Sequence, residues 1–441
     1  MAKKVVIIGA GPSGILLAHY LLRRDEKYQI EIYERRSDPR TVNFSKIRTF
    51  PISLSERGTN ALLQIPGLEE AVKAVSVEMT GTILHGKKGK TQVTSRKKPL
   101  VTLDRTNLAN VLLEKLLENH DSTRLNIHFN CQCIQVDFAA KKVNLQKLKP
   151  ETSAEEIESE FTIDYDLLIG ADGAHSVVRE HLINTEVFEC QQNYVPNAYK
   201  SIFLPNPDQI PGIDLQKDKI HTWRLSNGVA MLMLHQPDAT MSGVIHFPYA
   251  KNPIAELTDT EEVTKFFKEN SPEIGQIIPE YEAEAFSQRP ISRVLTVSCN
   301  RYHYGDSVLL IGDAAHAVSP SIGQGCNSAL EDVVVLNKLL DEYADNLALT
   351  LENYSIIRQP DAFALRELSD YCFPSSKKLF TEFIIRNSLG KILHQIFPKT
   401  FFPPLFDAVF AADISYREIL HKNQNWISKV KKSNDQFFAN Q

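Results

Sequence analysis

A chain of 441 residues is too long for one ordinary hydrophobic core, so we expect two or three domains. Hydrophobic residues make up 43% and charged residues 23%, and the net charge is −5, which indicates a soluble globular protein and excludes a nucleic-acid-binding class. The sequence contains no apolar run of membrane-spanning length, no signal peptide and no metal-ligand spacing among its six cysteines, so it predicts free thiols, no metal site and a cytoplasmic location.

The first predicted element is an apolar strand, Val5–Ile8, that runs directly into a glycine-rich turn. In this turn Gly9 makes the tight bend, Gly11 lets the backbone approach a pyrophosphate, and Gly14 lets the following helix pack on the strand. A second strand ends at Glu34, 20 residues after Gly14, where a carboxylate binds ribose hydroxyls and repels a 2′-phosphate. The stretch therefore predicts a site for FAD or NAD rather than NADP. The alternative is a glycine turn that binds no ligand.

The next part of the chain is less distinctive. Arg48–Gly58 has the pattern of a strand and a helix start, and the basic stretch Lys87–Lys98 predicts an exposed hairpin loop. Residues 151–160 are acidic and predict the tip of another hairpin. A helix begins at Arg105, where a cation is unfavourable because of the helix dipole. A bound anion nearby would resolve that conflict, and so would a surface salt bridge.

Two later apolar strands also run into glycine–acid turns, Asp172-Gly173 and Gly312-Asp313. The second is followed by another glycine turn, Gly323–Gly325, and by a helix predicted from Asn327 to about Leu340. Carboxylates at strand ends accept hydrogen bonds from ligand hydroxyls, and a helix N-terminus binds an anionic or electron-rich ring edge. Open α/β sheets bind ligands at this edge. The alternative is that Asp313 caps the next helix.

Between Gln191 and Val294 the pattern changes to short alternating strands separated by prolines, with one helical stretch at Thr258–Asn270. This predicts a separate, largely antiparallel sheet inserted into the nucleotide-binding fold. After Leu340 the chain is predicted to be helical. Its phenylalanines at 401, 402, 406 and 410 favour a core position, with a membrane surface or a partner face as alternatives.

Together the three glycine–acid turns resemble those of the flavoprotein aromatic hydroxylases, the single-component FAD monooxygenases. Longer stretches resemble one subfamily, the kynurenine 3-monooxygenases: Leu54–Gly58, Gly170–Arg179, Gly312–Asp332, Ile392–Leu405 and Tyr416–Glu418. The resemblance implies an α/β aromatic hydroxylase fold with a Rossmann-type FAD-binding domain, an inserted, mostly antiparallel substrate sheet and a helical C-terminal region. The implied division assigns 1–75, 101–185 and 290–345 to FAD binding, 76–100 and 186–289 to the substrate domain, and 346–441 to the helical region.

The resemblance also implies the chemistry. NADPH (or NADH) reduces FAD, dioxygen reacts with the reduced flavin, and one oxygen atom enters an aromatic ring, so no catalytic side chain is required. The implied cofactor-binding residues are Gly9, Gly11, Pro12, Ser13, Gly14, Glu34, Arg35, Arg105, Asp172, Gly173, Asp313, Gly323, Gly325, Cys326 and Asn327. The implied partners are a small aromatic substrate and O2. The implied substrate pocket contains Thr80, Thr82, Pro320, Asn327 and Phe373.

The substrate pocket departs from the subfamily pattern. Kynurenine enzymes place an arginine before an aliphatic–His pair to hold the substrate carboxylate, whereas this chain has Thr80 and Thr82 there. Two expected tyrosines are replaced by Pro99 and Phe373. Because an arginine–carboxylate fork is a strong polar contact, its loss predicts a different aromatic substrate. A substitute cation within 96–98 leaves a true kynurenine 3-monooxygenase as one alternative.

Two other functional alternatives remain, a flavin-dependent epoxidase or halogenase and a non-catalytic flavin redox sensor. Halogenases carry a Trp-x-Trp motif, and the tryptophans here stand far apart, at 223 and 426. Eukaryotic kynurenine enzymes have a C-terminal membrane anchor that is missing before Gln441. We therefore expect any membrane contact to be peripheral, through the C-terminal helices.

Overall fold

A computed structural model of the chain describes residues 2–41, 50–86, 90–149, 156–225, 228–250 and 252–439. Three sequence predictions fall partly outside these ranges: the start of the strand at Arg48, the lysines at 87 and 88, and the acidic residues 151–155. The side chains of residues 97, 377 and 437–439 are likewise outside the description.

The strands in chain order are β1 (Lys3–Ile8), β2 (Tyr28–Tyr33), β3 (Pro51–Leu54), β4 (Val77–His85), β5 (Thr91–Asp104), β6 (Leu125–His128), β7 (Cys131–Asp137), β8 (Lys142–Leu148), β9 (Ile157–Asp164), β10 (Leu167–Gly170), β11 (Cys190–Leu204), β12 (Lys219–Arg224), β13 (Ala230–His235), β14 (Met241–Pro248), β15 (Ser292–Cys299), β16 (His303–Tyr304) and β17 (Val308–Leu310). The helices are α1 (Pro12–Leu22), α2 (Glu56–Leu63), α3 (Leu68–Ala74), α4 (Arg105–Asn119), α5 (Val177–Ile183), α6 (Thr260–Asn270), α7 (Pro272–Ile277), α8 (Glu280–Gln288), α9 (Asp313–His316), α10 (Gly325–Glu342), α11 (Leu347–Tyr371), α12 (Lys377–Ile396), α13 (Leu405–Phe410), α14 (Tyr416–Lys422) and α15 (Gln424–Ala439).

A six-stranded sheet in the order β16-β17-β10-β1-β2-β6 carries the three predicted turns. All of its pairings are parallel except β16 with β17. The central strands β1, β10 and β17 are almost completely buried, which explains their continuous apolar sequences. Because these three strands are parallel neighbours, the turns that follow them meet at one edge of the sheet.

An eight-stranded sheet in the order β15-β11-β14-β13-β12-β4-β5-β3 forms the second layer, and its pairings are antiparallel except β4 with β12. Its core side packs against three helices, α6, α7 and α8, through a shared apolar cluster. The prediction of one helical stretch in this region was therefore wrong. Pro272 and Pro279 stand at the starts of α7 and α8, where proline is tolerated, although in the sequence they look like breaks.

The basic stretch predicted as a loop, Lys87–Lys98, is also corrected in its described part. Residues 91–98 belong to β5, because Thr91 pairs with His85 across the hairpin and the ladder continues from there. Cross-strand hydrogen bonding outweighs the polar composition of residues 91–98.

The sheet pairing bears on the division into domains. β3, the last residues of β5 and β15 lie in segments assigned to FAD binding, yet they hydrogen-bond into the eight-stranded sheet. A further three-stranded sheet, β7-β8-β9, packs on the core of the parallel sheet. The overall class, a parallel nucleotide-binding sheet with a mostly antiparallel insertion and a helical C-terminal region, is confirmed. The domain boundaries stay a prediction.

Candidate cofactor and substrate site

Three turns from distant parts of the chain touch at the carboxyl edge of the parallel sheet. A Cβ on Gly9, which has φ +105°, would lie 2.4 Å from the carbonyl oxygen of Ala171. A Cβ on Gly312, which has φ +60°, would lie 2.9 Å from the hydroxyl of Ser13. At Gly9 two backbones approach so closely that no side chain fits between them, and at Gly312 the positive φ is the stronger reason for glycine, because its close neighbour is a side chain.

The N-terminus of α1 points at the same edge. Gly11 is its N-cap residue and makes no side-chain cap hydrogen bond, and Pro12 occupies the first helical position. A Cβ on Gly14 would lie 2.4 Å from the carbonyl oxygen of Gly9, so the helix begins in direct contact with the turn. The uncapped N–H groups and the helix dipole suit a phosphate group here.

Glu34 folds back onto the first turn. Its Oε2 accepts a hydrogen bond of 2.9 Å from the N–H of Ala10, and its Oε1 accepts one of 2.9 Å from the N–H of Arg36. These bonds hold the carboxylate beside the turn, with acceptor capacity left for ribose hydroxyls. The neighbouring side chain of Arg35 is exposed.

Asp172 has a buried oxygen that lacks a partner. Its Oδ2 accepts a hydrogen bond of 2.7 Å from the N–H of Val177, but its Oδ1 has no hydrogen-bond partner in the described part of the chain. Burial raises the pKa of the carboxyl group. A Cβ on Gly173, φ +82°, would meet no atom within 4 Å. An orphaned buried acceptor beside a glycine turn fits a site that a ligand donor completes.

Asp313, Arg105 and Cys326 come together from three elements. Burial raises the pKa of the Cys326 thiol to about 12, and the charges of Arg105 and Asp313 act on it in opposite directions. Arg105 lies 5.8 Å from the ring centroid of Phe50. Across the described ranges neither Arg105 nor Asp313 makes an ion pair or a side-chain hydrogen bond. The salt bridge considered for Arg105 is therefore not formed there, and both charges remain available to a ligand.

Asn327 fixes the turn that precedes α10. Its amide donates to the carbonyl oxygens of Ser53 at 2.8 Å and Gly323 at 3.0 Å, and its Oδ1 accepts from the N–H of Ser55 at 2.8 Å. The side chain is fully buried and both amide hydrogens are used, so it positions the turn. Gly325 begins α10, and Pro320 is exposed just before it.

A buried charge network under this turn was missed by the sequence reasoning. Asp332 Oδ2 accepts from the N–H of Gly312 at 2.8 Å and lies 2.6 Å from His316 Nε2, while Oδ1 accepts from Arg358 Nε at 2.8 Å. Burial alone would raise the pKa of Asp332, but His316 and Arg358 outweigh it and bring it down to about 2. An acid on the apolar side of a helix was the available signal.

Arg179 joins the second and third turns. Its guanidinium donates to the carbonyl oxygens of Ala174 at 2.7 Å and Ala314 at 2.9 Å, and to Gln192 Oε1 at 3.1 Å. The side chain is completely buried. In the sequence Arg179 is only the last residue of a stretch that resembles the kynurenine 3-monooxygenases, and its role as a clamp between turns depends on a contact with a residue 135 positions away.

The predicted substrate residues are spread over different surroundings. Thr80 hydrogen-bonds to the carboxylate of Asp218, and Lys219 Nζ lies 2.6 Å from its hydroxyl oxygen. Thr82 is half-buried on β4. Phe373 packs in the C-terminal helical cluster, with ring centroids 5.8 Å from Phe383 and 5.1 Å from Phe406. That these residues share one pocket stays a prediction.

Within the ranges that the structure describes, none of the helices combines the length and apolar character needed to cross a membrane.

Known proteins are similar over nearly the whole chain. Residues 2–368 match the family model described as FAD binding domain. A kynurenine 3-monooxygenase of Sus scrofa is 28% identical over 97% of this chain and 87% of its own, and one of Phaeosphaeria nodorum is 30% identical over 95% and 88%. A tetrameric form of 2-methyl-3-hydroxypyridine-5-carboxylic acid oxygenase superposes with a TM-score of 0.66 at 17% identity, covering 93% of this chain and 96% of its own. At that identity the last comparison supports the fold alone.

Proposed function

This chain belongs to the FAD binding domain family and is an FAD-dependent monooxygenase of the kynurenine 3-monooxygenase type, and on that premise we propose that it hydroxylates an aromatic small molecule other than kynurenine. One observation carries the cofactor site. Three glycine–acid turns on neighbouring strands meet at one edge. Among the residues that the structure describes, a buried oxygen of Asp172 has no hydrogen-bond partner, and Asp313 and Arg105 form no ion pair.

Each part of the edge has a task toward FAD. The N-terminus of α1 stabilises the pyrophosphate, Glu34 accepts from the adenosine ribose hydroxyls, and Asp313 accepts from the ribityl hydroxyls. Arg105 offsets phosphate charge, and the turn Gly323–Gly325 lines the ring. When bound, FAD supplies electron transfer from NADPH (or NADH) and the activation of dioxygen. The chain's remaining task is to orient the substrate ring and to exclude water.

The identity of the substrate is inferred from Thr80. Where kynurenine enzymes carry an arginine, this hydroxyl lies between Asp218 and Lys219, whose opposite charges are already paired at 2.5 Å. Because the ammonium group of Lys219 is already paired with Asp218, it binds the carboxylate of a substrate less strongly than an unpaired cation would. Phe373 lacks the phenol donor of a tyrosine. Both features support an aromatic substrate that is less acidic or larger than kynurenine.

A panel of substrates tests the proposal. Initial rates of NADPH oxidation, with mass spectrometry of the products, are measured for kynurenines, indoles, anthranilates, phenols and quinolones. We expect ring hydroxylation and stimulated NADPH oxidation for a compound outside the kynurenines. Rapid conversion of L-kynurenine to its 3-hydroxy product would overturn the substrate assignment, and no stimulation by any compound would favour the redox sensor.

Kynurenine itself is the second candidate, and Arg96 favours it. The Arg96 guanidinium lies 4.7 Å from the ring centroid of Phe410, which packs against the eight-stranded sheet beside Met79. Burial lowers the pKa of Arg96, and its buried Nε has no hydrogen-bond partner within the described residues. A desolvated guanidinium of this kind suits a substrate carboxylate.

Substituting Arg96→Met separates the two candidates. If Arg96 binds the carboxylate, the KM for L-kynurenine rises strongly in the variant, while a carboxylate-free analogue reacts as in the wild type. If the substrate lacks a carboxylate, the variant's KM for it stays near the wild-type value. FAD content is measured in both proteins as a check on folding.

A peripheral membrane contact is supported by α12 and the loop that follows it. Large apolar side chains are exposed along one face and into the loop: Ile384, Ile385, Leu389, Ile392, Leu393, Ile396, Phe397 and Phe401. Between Phe383 and Phe406 the sequence contains no acidic residue and three cations, Lys391, Lys399 and Arg386, of which Arg386 is ion-paired with Glu382. Exposed apolar residues at helical spacing among cations suit the surface of an anionic bilayer.

Co-sedimentation with vesicles tests this contact. The wild type should sediment with phosphatidylglycerol-containing vesicles, and the double substitution Leu389→Asp with Ile396→Asp should stay in the supernatant. Leu63→Asp, at an equally exposed leucine on α2, is the matched control and should bind like the wild type. Equal binding by all three proteins would exclude α12 as the contact.

A further inference from the structure

Two cysteine thiols face each other at the edge of the eight-stranded sheet. Cys190 begins β11 and Cys299 ends β15, and they are direct register partners in an antiparallel pair. Their Sγ atoms are 3.5 Å apart, and both are free thiols. Directly opposed antiparallel residues have Cα atoms about 4.5–5.5 Å apart, within the range of roughly 4.4–6.8 Å that disulfides span. The two sulfurs therefore need only a small shift to bond.

The two thiols differ in reactivity. Cys190 is half-exposed, whereas Cys299 is completely buried. The hydrogen bond from Cys299, together with the charge of Arg179, lowers the pKa of Cys190. Burial instead raises the pKa of Cys131 and Cys133, which lie together on β7. Cys190 is thus the thiol that an oxidant reaches from solvent, and Cys299 is the buried thiol beside it.

Hydrogen bonds connect the pair to the edge of the parallel sheet where the three turns meet. We call this edge, formed by Gly9–Gly14, Asp172-Gly173 and Gly312-Asp313, the cofactor edge. Gln192, two residues after Cys190 on β11, accepts a hydrogen bond from Arg179, which clamps the second and third turns. On the other strand, the N–H of Val297 donates to the carbonyl oxygen of Ala317, just beyond α9, at 2.8 Å. If β11 moves relative to β15, these hydrogen bonds transmit the movement to the second and third turns.

We propose that Cys190 and Cys299 form an oxidation site for hydroperoxides, and that their disulfide weakens FAD binding through Arg179. Hydrogen peroxide transfers one oxygen to the Cys190 sulfur, giving a sulfenic acid and one water. The Cys299 sulfur then attacks that sulfur, the S–O bond breaks, and a second water leaves with the Cys299 proton. The two thiols lose two electrons and the peroxide gains them. An external dithiol reverses the change.

Mass spectrometry of the FAD-loaded protein tests the site itself. After treatment with hydrogen peroxide, unreacted thiols are alkylated and the protein is digested. We expect a linked peptide that contains Cys190 and Cys299, that disappears on reduction with dithiothreitol, while Cys131 and Cys133 remain alkylated. In Cys299→Ser, a sulfenic-acid probe should label Cys190. No linked peptide, or a label on Cys299 in Cys190→Ser equal to that on Cys190, would overturn the site.

Fluorescence titration with FAD tests the consequence, which rests on the cofactor edge described above. The oxidised wild type should bind FAD several-fold more weakly than the reduced one, and dithiothreitol should restore the affinity. Cys190→Ser should bind FAD equally before and after peroxide, and Cys131→Ser, the matched control, should respond like the wild type. A disulfide that leaves FAD affinity unchanged would refute the link. If the proposed FAD site itself is wrong, the reduced protein will already bind FAD weakly, and this result distinguishes the two failures.

Discussion

At the scale of single residues, the cofactor edge depends on charges that are buried and paired beneath it. Asp332 holds the N–H of Gly312 and balances Arg358 and His316. None of these groups is expected to touch FAD. They hold the third turn in place because a buried carboxylate with all its partners present resists any displacement that would leave one of them unpaired.

Replacing Asp332 by asparagine should therefore be costly. Removing one partner of a buried ion pair destabilises by about 3–5 kcal/mol, and we expect the lower end of that range because Arg358 keeps its ion pairs with Glu331 and Asp361. The free energy of unfolding in urea at neutral pH measures the loss. Asp341→Asn on the same helix is the control, because Asp341 is mostly exposed beside Arg24 and should cost no more than about 1 kcal/mol. Equal costs at the two positions would contradict the role of the network.

A second prediction concerns acid stability. His19 is buried on α1 with its Nε2 2.9 Å from the carbonyl oxygen of Leu112, and burial lowers its pKa from 6.5 to about 4. Between these values the unfolded chain binds a proton that the folded protein does not. Burial of neutral His19 therefore does not reduce the free energy of unfolding above pH 6.5. That free energy falls as the pH decreases from 6.5 toward 4.

His19→Gln should consequently flatten the pH dependence. The difference in unfolding free energy between pH 7 and pH 5 should be smaller in the variant by roughly 2 kcal/mol. Urea midpoints at three pH values give the comparison. Parallel curves for the two proteins would show that His19 does not contribute.

At the scale of elements, α10 is positioned by close contact with α2 and β3. A Cβ on Gly58 of α2 would lie 2.5 Å from Asn327 Oδ1. That amide is held by backbone groups of β3 and of the Gly323 turn, so it has nowhere to move. The turn that we assign to the flavin ring is thereby tied to two other elements.

Gly58→Ala should disturb this arrangement. Overpacking of this kind costs about 1–3 kcal/mol, and we expect weaker FAD binding because the start of α10 must shift. Unfolding and FAD titrations are measured together. Gly390→Ala is the control: its nearest neighbour would be Pro404 at 3.8 Å, and alanine in a helix gains about 0.5–1 kcal/mol over glycine. Wild-type FAD affinity in Gly58→Ala would argue against the coupling.

At the scale of the whole molecule, the cofactor edge joins segments from the beginning, middle and end of the FAD binding domain match. A ligand that binds only when all three are assembled stabilises the folded chain as a unit. The C-terminal helices reinforce the same region, since Val318 and Ile322 near the third turn pack in one cluster with α13 and α14.

FAD should therefore raise the melting temperature of the apoprotein in a concentration-dependent way. At a concentration of 100 times Kd the gain is about 2.7 kcal/mol. Asp313→Ala should reduce this gain while leaving the apoprotein as stable as before, because Asp313 has no protein partner among the described residues. Thermal denaturation with and without FAD measures both. A melting temperature independent of FAD would refute the assembled site.

The sequence predicted those features whose residues lie close together along the chain. The turn Gly9–Gly14 and Glu34 lie within one short βαβ unit, so their spacing alone predicted an FAD or NAD site, and the FAD cofactor is confirmed. The helices α7 and α8 were missed because each is short and has a proline at its start: Pro272 is the first residue of α7, and Pro279 directly precedes α8. Roles for Asn327 and Phe373 at the substrate stay predictions, because their contacts are to backbone and to other rings.

The order of residues along the chain was sufficient for the family, the fold class, the cofactor and the three turns, because each rests on a local pattern of strand, glycine and acid. Tertiary structure alone revealed the Asp332 network, the clamp of Arg179 and the opposed thiols of Cys190 and Cys299. These depend on how separate elements pack against one another. Strand pairing brings Cys190 and Cys299 together across 109 positions, and Arg179 reaches Ala314 across 135. Asp332 meets partners 16 to 26 positions away on other elements, and the local periodicity of the sequence predicts none of these contacts.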